Sequence, residues 1–397
     1  MNHTQPLTFV LFGATGDLAQ RKIMPALLNL FVSGTLPARS SIIAFSRRTW
    51  TDQEYRNFIK PSLEKHQADL AVLQTFLQNI QYVKGTFDER DSYARLKEMV
   101  GETQAVFHLA IQPEFYETVF NELGIAKLQE NNAKIIIEKP FGHNSETAKQ
   151  LETTLSQHFT EAQIFRIDHY LGKEGLHNII IERNQNQELE NKLSAANVQS
   201  IEVRMLEDLD IAGRGEFFET IGALRDIGQN HILEMLAVIL MDIIKDEELS
   251  HARGRVLIDL KSLQAADSPK IRRAQYEGYR KEQDVDPQSE TETYFKVETA
   301  MQNKRWNGVK IILEGGKAMA EKKSEIKIVF KDDTEKIFDI RDGTRDAYEI
   351  LIEQAILGKH EWFVSIDEVM ASWKFIDSVI DQFKKVPLTV YKKGNTP

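Results

Sequence analysis

The sequence of 397 residues contains no cysteine. Disulfides, thiolate metal sites and cysteine nucleophiles are excluded together, and the composition fits a reducing compartment. Long apolar runs are also missing. The most apolar stretch, from Ile232 to Ile244, is interrupted by Glu234 and Asp242 and falls short of the ~20 residues a membrane helix needs; it reads as a buried helix. An excess of positive charge is lacking too: 50 Lys+Arg face 60 Asp+Glu, a net charge of −10. That balance argues against nucleic acid or an anionic membrane surface as partner, so any anionic ligand must be held by a local basic cluster. The opening residues, MNHTQPLTFV, have no charged n-region, long apolar h-region or small-residue cleavage site, and a cytoplasmic location is expected.

What is present is an ordinary globular composition, 42% hydrophobic and 28% charged, in a chain longer than the about 250–300 residues at which cores divide. Two domains are expected, 1–170 and 171–397. The first alternates short β-rich runs (7–13, 41–46, 80–85, 105–110, 133–139, 163–168) with helical stretches, among them one after Pro25, one from Asp52 to Gln78 and one from Glu114 to Leu123. Several runs are nearly all apolar, as strands covered on both faces should be, which predicts a Rossmann-like, doubly wound α/β domain with a parallel sheet. After Asp168 a polar helix (173–192), a strand (198–206) and a long helix (217–244) precede four strands with short turns (294–301, 309–316, 325–330, 335–341). This half reads as α+β with a largely antiparallel sheet. The polar region 267–292 is expected to be loop with some helix, and two helices, about 346–357 and 366–383, close the chain.

At the end of the first strand stands Gly13-Ala14-Thr15-Gly16-Asp17-Leu18-Ala19, opening a helix. Glycines there let the backbone approach a pyrophosphate, whose charge meets free N–H groups at the helix start. The spacing is G-x-x-G-x-x-A rather than G-x-G-x-x-G. The second strand ends in Ser46-Arg47-Arg48, where an acidic residue would favour NAD; an arginine can clamp a 2′-phosphate, so NADP is favoured and NAD is the alternative. Solvated surface charge is the competing reading of both arginines.

Three further clusters carry polar chemistry. Glu138-Lys139-Pro140-Phe141-Gly142 follows the fifth strand, at the edge where doubly wound sheets bind ligands; its X-Pro bond is a candidate cis bond, and an ordinary turn with a surface lysine is the plainer reading. Arg166-Ile167-Asp168-His169-Tyr170-Leu171-Gly172-Lys173-Glu174 follows the next strand. His169, Tyr170 and Lys173 offer donors suited to a phosphate dianion, or Asp168 is simply the N-cap of a helix. Arg225-Asp226-Ile227-Gly228-Gln229-Asn230-His231 precedes an apolar helix. His231 there is either a hydrogen-bonded core residue or a base: histidine titrates near neutrality, as the oxidation of a hydroxyl requires, and a carboxylate such as Asp168 on its other nitrogen would fix the tautomer.

Together these residues resemble the glucose-6-phosphate dehydrogenase family. The resemblance rests on FGATGDLAQRK (12–22), EKPFG (138–142), RIDHYLGKE (166–174), GRGEFFETIGALRDIGQNH (213–231) and GKAMAEKK (316–323), in the family's order, and it resumes at 345–364. It implies hydride transfer from C1 of a sugar 6-phosphate to the nicotinamide, giving a 6-phospholactone, with no metal. It implies His231 as general base and Asp168 as its partner. His169, Tyr170 and Lys173 would bind the 6-phosphate, Lys139 would lie near sugar and nicotinamide, and Glu207, Asp226 and Lys317 would hold sugar hydroxyls or phosphate. Gly13, Thr15, Gly16, Asp17, Leu18 and Arg47 would face the cofactor. A homodimer or homotetramer is the implied assembly.

Family members are longer, and the missing stretch falls between EIKIVF and RDAYEIL, where the family has more sheet and part of its subunit interface. Substrate and assembly are therefore less determined than reaction type. Two alternatives remain at this stage: a sugar dehydrogenase of the glucose–fructose oxidoreductase type, and an inactive sugar-phosphate sensor.

Overall fold

Strands β1 (Leu7–Phe12), β2 (Ser41–Ser46), β3 (Ile80–Lys84), β4 (Gln104–Leu109), β5 (Lys134–Glu138) and β6 (Ile164–Ile167) form one sheet in the order β3-β2-β1-β4-β5-β6. All its pairings are parallel. In the computed structural model, which describes residues 6–37, 39–66, 69–243 and 248–397, every residue of β1 is buried, as its nearly all-apolar sequence leads one to expect. The strand order reverses between β1 and β4, the switch point at which such sheets leave a crevice at their carboxyl ends.

The expected helix from Asp52 to Gln78 is two helices, Asp52–Leu63 and Leu70–Gln78. Thr51 and Glu54 form a capping box at the first, and Asp69 caps the second. Gln67 and Ala68, within the expected span, lie outside the described residues. Such caps satisfy N–H groups that a helix start leaves without partners.

The chain separates into two compact units. The first gathers residues up to Gly142, Lys149–Gly172 and Arg345–Val364; the second gathers His143–Ala148, Lys173–Thr344 and Ser365–Pro397. The helix Ala347–Leu357, near the end of the chain, thus belongs with the parallel sheet: Tyr348, Leu351, Ile352 and Ala355 share a core with Leu27, Leu30 and Phe165.

The second unit is built on β7 (Val198–Leu206), β8 (Ile271–Tyr276), β9 (Tyr294–Ala300), β10 (Lys310–Gly316), β11 (Lys323–Phe330), β12 (Glu335–Asp339) and β13 (Leu388–Tyr391), in the order β12-β11-β7-β10-β9-β8-β13. Four pairings are antiparallel, while β7–β10 and β8–β13 are parallel. Two strands differ from expectation. β8 occupies part of the region read as loop, because Arg272 and Arg273 break its apolar alternation; β13 has only four residues at the sheet edge, too few to show a period. Ile201, Val203, Val297, Ile326 and Ile328 are buried on one face. On the other, register aligns Glu325, Arg204, Glu314 and Lys296 across four strands, with Arg204 bonded to both glutamates at 3.1 and 3.2 Å.

The polar helix expected over 173–192 is interrupted at Asn186, giving Glu174–Gln185 and Gln187–Lys192. The long helix expected over 217–244 is also broken. Gly215–Ala223 contains Gly222 at φ 64, ψ 176, a left-handed conformation that glycine adopts readily. A π-helical stretch, Leu224–Ile232, follows, and then Leu233–Leu240; Ile244 lies outside the described residues. The break has a visible cause. A Cβ on Gly222 would lie 2.5 Å from Glu292 Oε1, and that oxygen accepts the Leu224 N–H at 2.9 Å, so the buried carboxylate takes the place of a helical turn. Among the described residues no helix is long and apolar enough to cross a membrane.

Candidate active site

The glycine turn closes tightly over the parallel sheet. Gly13 has φ 73, and a Cβ there would lie 2.2 Å from the Ala110 carbonyl oxygen. The Gly16 N–H donates to Gly13 O at 2.8 Å, and the Ala14 N–H donates to Phe45 O at 3.2 Å. Thr15 Oγ1 lies 3.0 Å from Ser46 Oγ, tying the turn to the end of β2. The helix then opens as a π turn, Ala19–Ile23, with Leu18 in its N-cap position, and Ala19 is fully buried, which accounts for alanine where a third glycine was the precedent. Asp17 is exposed and pairs with Arg21 at 3.4 Å. Past the end of β2, Arg47 and Arg48 are both exposed, and Arg48 lies over the Trp50 ring at 5.0 Å. A tight glycine turn opening a helix at the switch point, with cations at the end of β2, fits a dinucleotide.

The Lys139–Pro140 bond is cis. Its neighbour Glu138 ends β5 buried, with Oε1 2.9 Å from His108 Nε2 and Oε2 accepting the Tyr348 hydroxyl at 3.2 Å. Tyr116 donates its hydroxyl to the Glu138 carbonyl at 2.7 Å. The Tyr348 phenol is pushed far above its ordinary pKa by burial first and the Glu138 charge second, so it stays a donor. The Tyr348 ring is stacked on the imidazole of His169, 10° from parallel at 6.3 Å. Glu138 and Tyr348 were missed as site residues. A charge directly after the apolar run Ile135–Ile137, at the carboxyl end of the strand, was a legible signal for Glu138; nothing local marked Tyr348, which lies about 180 positions beyond His169 in the chain.

Asp168 is not a helix N-cap. The following helix starts at Glu174 after Lys173; Asp168 Oδ1 instead accepts the Tyr170 N–H at 2.9 Å, an Asx turn that presents His169 and Tyr170 together. Asp168 is 1% exposed and belongs to the first unit. Lys173, in the second unit, pairs with Asp342 at 3.1 Å.

In the second unit, parallel pairing brings the carboxyl ends of β7 and β10 side by side, in register at Leu206 and Gly316. The Glu207 N–H donates to Gly316 O and the Met319 N–H to Glu207 O, each at 2.9 Å. Glu207 and Lys317 therefore emerge next to each other and form an ion pair, and Asp226 joins at 2.9 Å from the π-helical stretch. Burial alone would lower the Lys317 pKa, but the carboxylates of Asp226 and Glu207 outweigh it and raise the ammonium above its ordinary value. Five residues after Asp226, His231 is 2% exposed on the same stretch. π-helical turns recur at functional sites because they re-aim side chains, and sequence periodicity did not reveal this one.

Comparison with known proteins identifies the family. The family model described as glucose-6-phosphate dehydrogenase, NAD binding domain, matches residues 10–178. The one described as glucose-6-phosphate dehydrogenase, C-terminal domain, matches 180–345 and 339–397. The glucose-6-phosphate 1-dehydrogenase of Borreliella burgdorferi is 32% identical over 450 residues, covering 97% of this chain and 94% of its own. A cytoplasmic glucose-6-phosphate 1-dehydrogenase of Arabidopsis thaliana is 30% identical, covering 98% and 88%. A solved glucose-6-phosphate dehydrogenase in complex with its substrate glucose-6-phosphate superposes with a TM-score of 0.92 at 28% identity, covering 100% of this chain and 96% of that one.

Proposed function

From its membership of the glucose-6-phosphate dehydrogenase family, to which this chain belongs, we propose that it oxidises C1 of glucose 6-phosphate with NADP as partner, yielding 6-phosphogluconolactone. The observation that carries the reading is the joining of Lys317 and Glu207, at the strand ends, to Asp226 on the stretch that bears His231, inside a chain matched along nearly its whole length by enzymes of that name. The sugar-dehydrogenase and sensor alternatives draw no support from these relatives.

NADP supplies the hydride acceptor. The Gly13–Leu18 turn receives its pyrophosphate, and Arg47 meets its 2′-phosphate. His231 takes the proton of the C1 hydroxyl as the C1 hydride departs, so that the carbon becomes the lactone carbonyl. Asp168 partners the other imidazole nitrogen and balances the imidazolium that results. His169, Tyr170 and Lys173 anchor the 6-phosphate, and binding so far from C1 supports the orientation on which hydride transfer depends. Lys139 would lie near sugar and nicotinamide, while Glu207, Asp226 and Lys317 would hold sugar hydroxyls or phosphate. The domain division 1–170 and 171–397, supplemented by 345–364 on the cofactor side, is part of this reading, as is a cytoplasmic location, the location named for the Arabidopsis relative.

The assembly in this reading is a homodimer or homotetramer. The row Glu325–Arg204–Glu314–Lys296 alternates in sign across the sheet face opposite the buried one, and such a row is self-complementary about a twofold axis. An absorbance assay for reduced nicotinamide, run with both cofactors against a panel of sugar phosphates, tests the activity. Turnover led by glucose 6-phosphate with NADP supports it, and turnover confined to unphosphorylated sugars overturns it.

A further inference from the structure

A cavity of about 270 Å³ opens in the second unit, lined by Arg225 from the π-helical stretch, Arg273 from β8, Lys384 just past the helix Ile366–Phe383, and the acidic residues Glu290 and Glu292. Leu224, Ile380 and Phe383 form its apolar wall. Three cations from three separate elements converge on a space slightly below the roughly 300 Å³ at which drug-sized pockets begin. Nothing in the proposed reaction uses them.

The two carboxylates do not close this space to an anion. Arg273 is held in place by donating to Val386 O at 2.8 Å and to Glu290 O at 3.4 Å. Its remaining nitrogen meets Glu290 Oε2 at 3.2 Å, yet the Glu290 side chain is 72% exposed. Such an exposed pair is worth little, and an arriving phosphate or carboxylate can replace Glu290 on the same donors. Glu292 is buried, and burial raises its carboxyl above the ordinary range, which lessens its repulsion of a bound anion.

The position gives the cavity a consequence. Glu292 accepts the Leu224 N–H and its carbonyl accepts the Ala223 N–H at 3.0 Å, so one wall of the cavity fixes the start of the stretch Leu224–Ile232. Arg225 lines the cavity, while the next residue, Asp226, holds Lys317. The geometry points to a second ligand site here, taking a small organic anion with an apolar body, whose occupancy shifts the stretch that carries Asp226 and His231. The binding claim stands apart from the proposed activity; the coupling claim rests on it.

Phenyl phosphate is a suitable probe, since its dianion matches the three cations and its ring matches Phe383 and Ile380. Calorimetric titration of the full-length protein, held at saturating glucose 6-phosphate to occupy the sugar site, should show one saturable site per chain. Lys384→Glu, an exposed change, and Arg273→Leu should each weaken it about tenfold or more, the loss expected of one charge-assisted contact, whereas Lys173→Ala should leave it unchanged. Phenyl phosphate should also change the KM for glucose 6-phosphate in the wild type and not in Lys384→Glu. Absence of binding, binding indifferent to Lys384→Glu, or binding lost in Lys173→Ala overturns the site; binding with unchanged kinetics overturns the coupling. If glucose 6-phosphate is not turned over at all, the activity reading fails, and the titration still decides the cavity.

Discussion

Lys317, at the end of β10, holds the carboxylate of Asp226 at 2.9 Å and so ties the sheet of the second unit to the π-helical stretch that carries His231. The ion pair with Glu207 completes a buried cation between two acids. Removing one member of such a group leaves charge without compensation, which costs about 3 kcal/mol or more.

Lys317→Met should therefore lower the free energy of unfolding by about 3 kcal/mol in urea titration and raise the KM for glucose 6-phosphate. Because the folded pKa of Lys317 is raised, its contribution is fully present at neutral pH and is lost only as pH climbs through that raised value. The difference between wild type and variant should accordingly be constant from pH 6 to 9.

Arg47→Ala should raise the KM for NADP by about tenfold, the loss of one charge-assisted contact to phosphate, and leave the KM for NAD nearly unchanged. Steady-state kinetics with both cofactors measures this. An equal effect on both would remove Arg47 from the 2′-phosphate.

Much of this was legible beforehand for physical reasons. Short, mostly apolar runs such as LTFVLF and the III of KIIIE, with β-branched residues, read as covered strands, and the capping box of Thr51 and Glu54 marks a helix start in local sequence. Lys317 was named from its motif and Glu207 from the family resemblance, but their adjacency follows from parallel pairing of β7 with β10 across a gap of more than a hundred residues. The break at Gly222 was hidden because its cause, Glu292, lies seventy positions away. Tyr348 joined Glu138 and His169 by the same kind of long-range packing, which no local period encodes.

Glu292→Gln should keep an acceptor for the Leu224 N–H while removing a buried charge. The folded pKa of Glu292 is raised, so its stabilisation is present below the ordinary carboxyl range and fades as pH rises through the elevated value. The variant should thus be more stable than wild type at pH 8, by about 1 kcal/mol, and should lose that advantage near pH 4. Thermal unfolding across pH reads the sign directly.

Tyr348→Phe should cost about 2 kcal/mol of stability, the worth of a hydrogen bond to a charged acceptor, and raise the KM for the sugar phosphate by releasing from Glu138 the ring that is stacked on His169. Urea titration and sugar-phosphate kinetics together check it, with the KM for NADP expected to stay within twofold.

The central claim is that His231 is the base. The most direct measurement is turnover of glucose 6-phosphate with NADP by His231→Asn, followed by absorbance of the reduced nicotinamide, with sugar-phosphate binding measured separately by calorimetry. A fall in kcat of about 10²- to 10⁴-fold, the range for loss of a general base, with binding retained, is the predicted result. Turnover near that of the wild type would contradict the account.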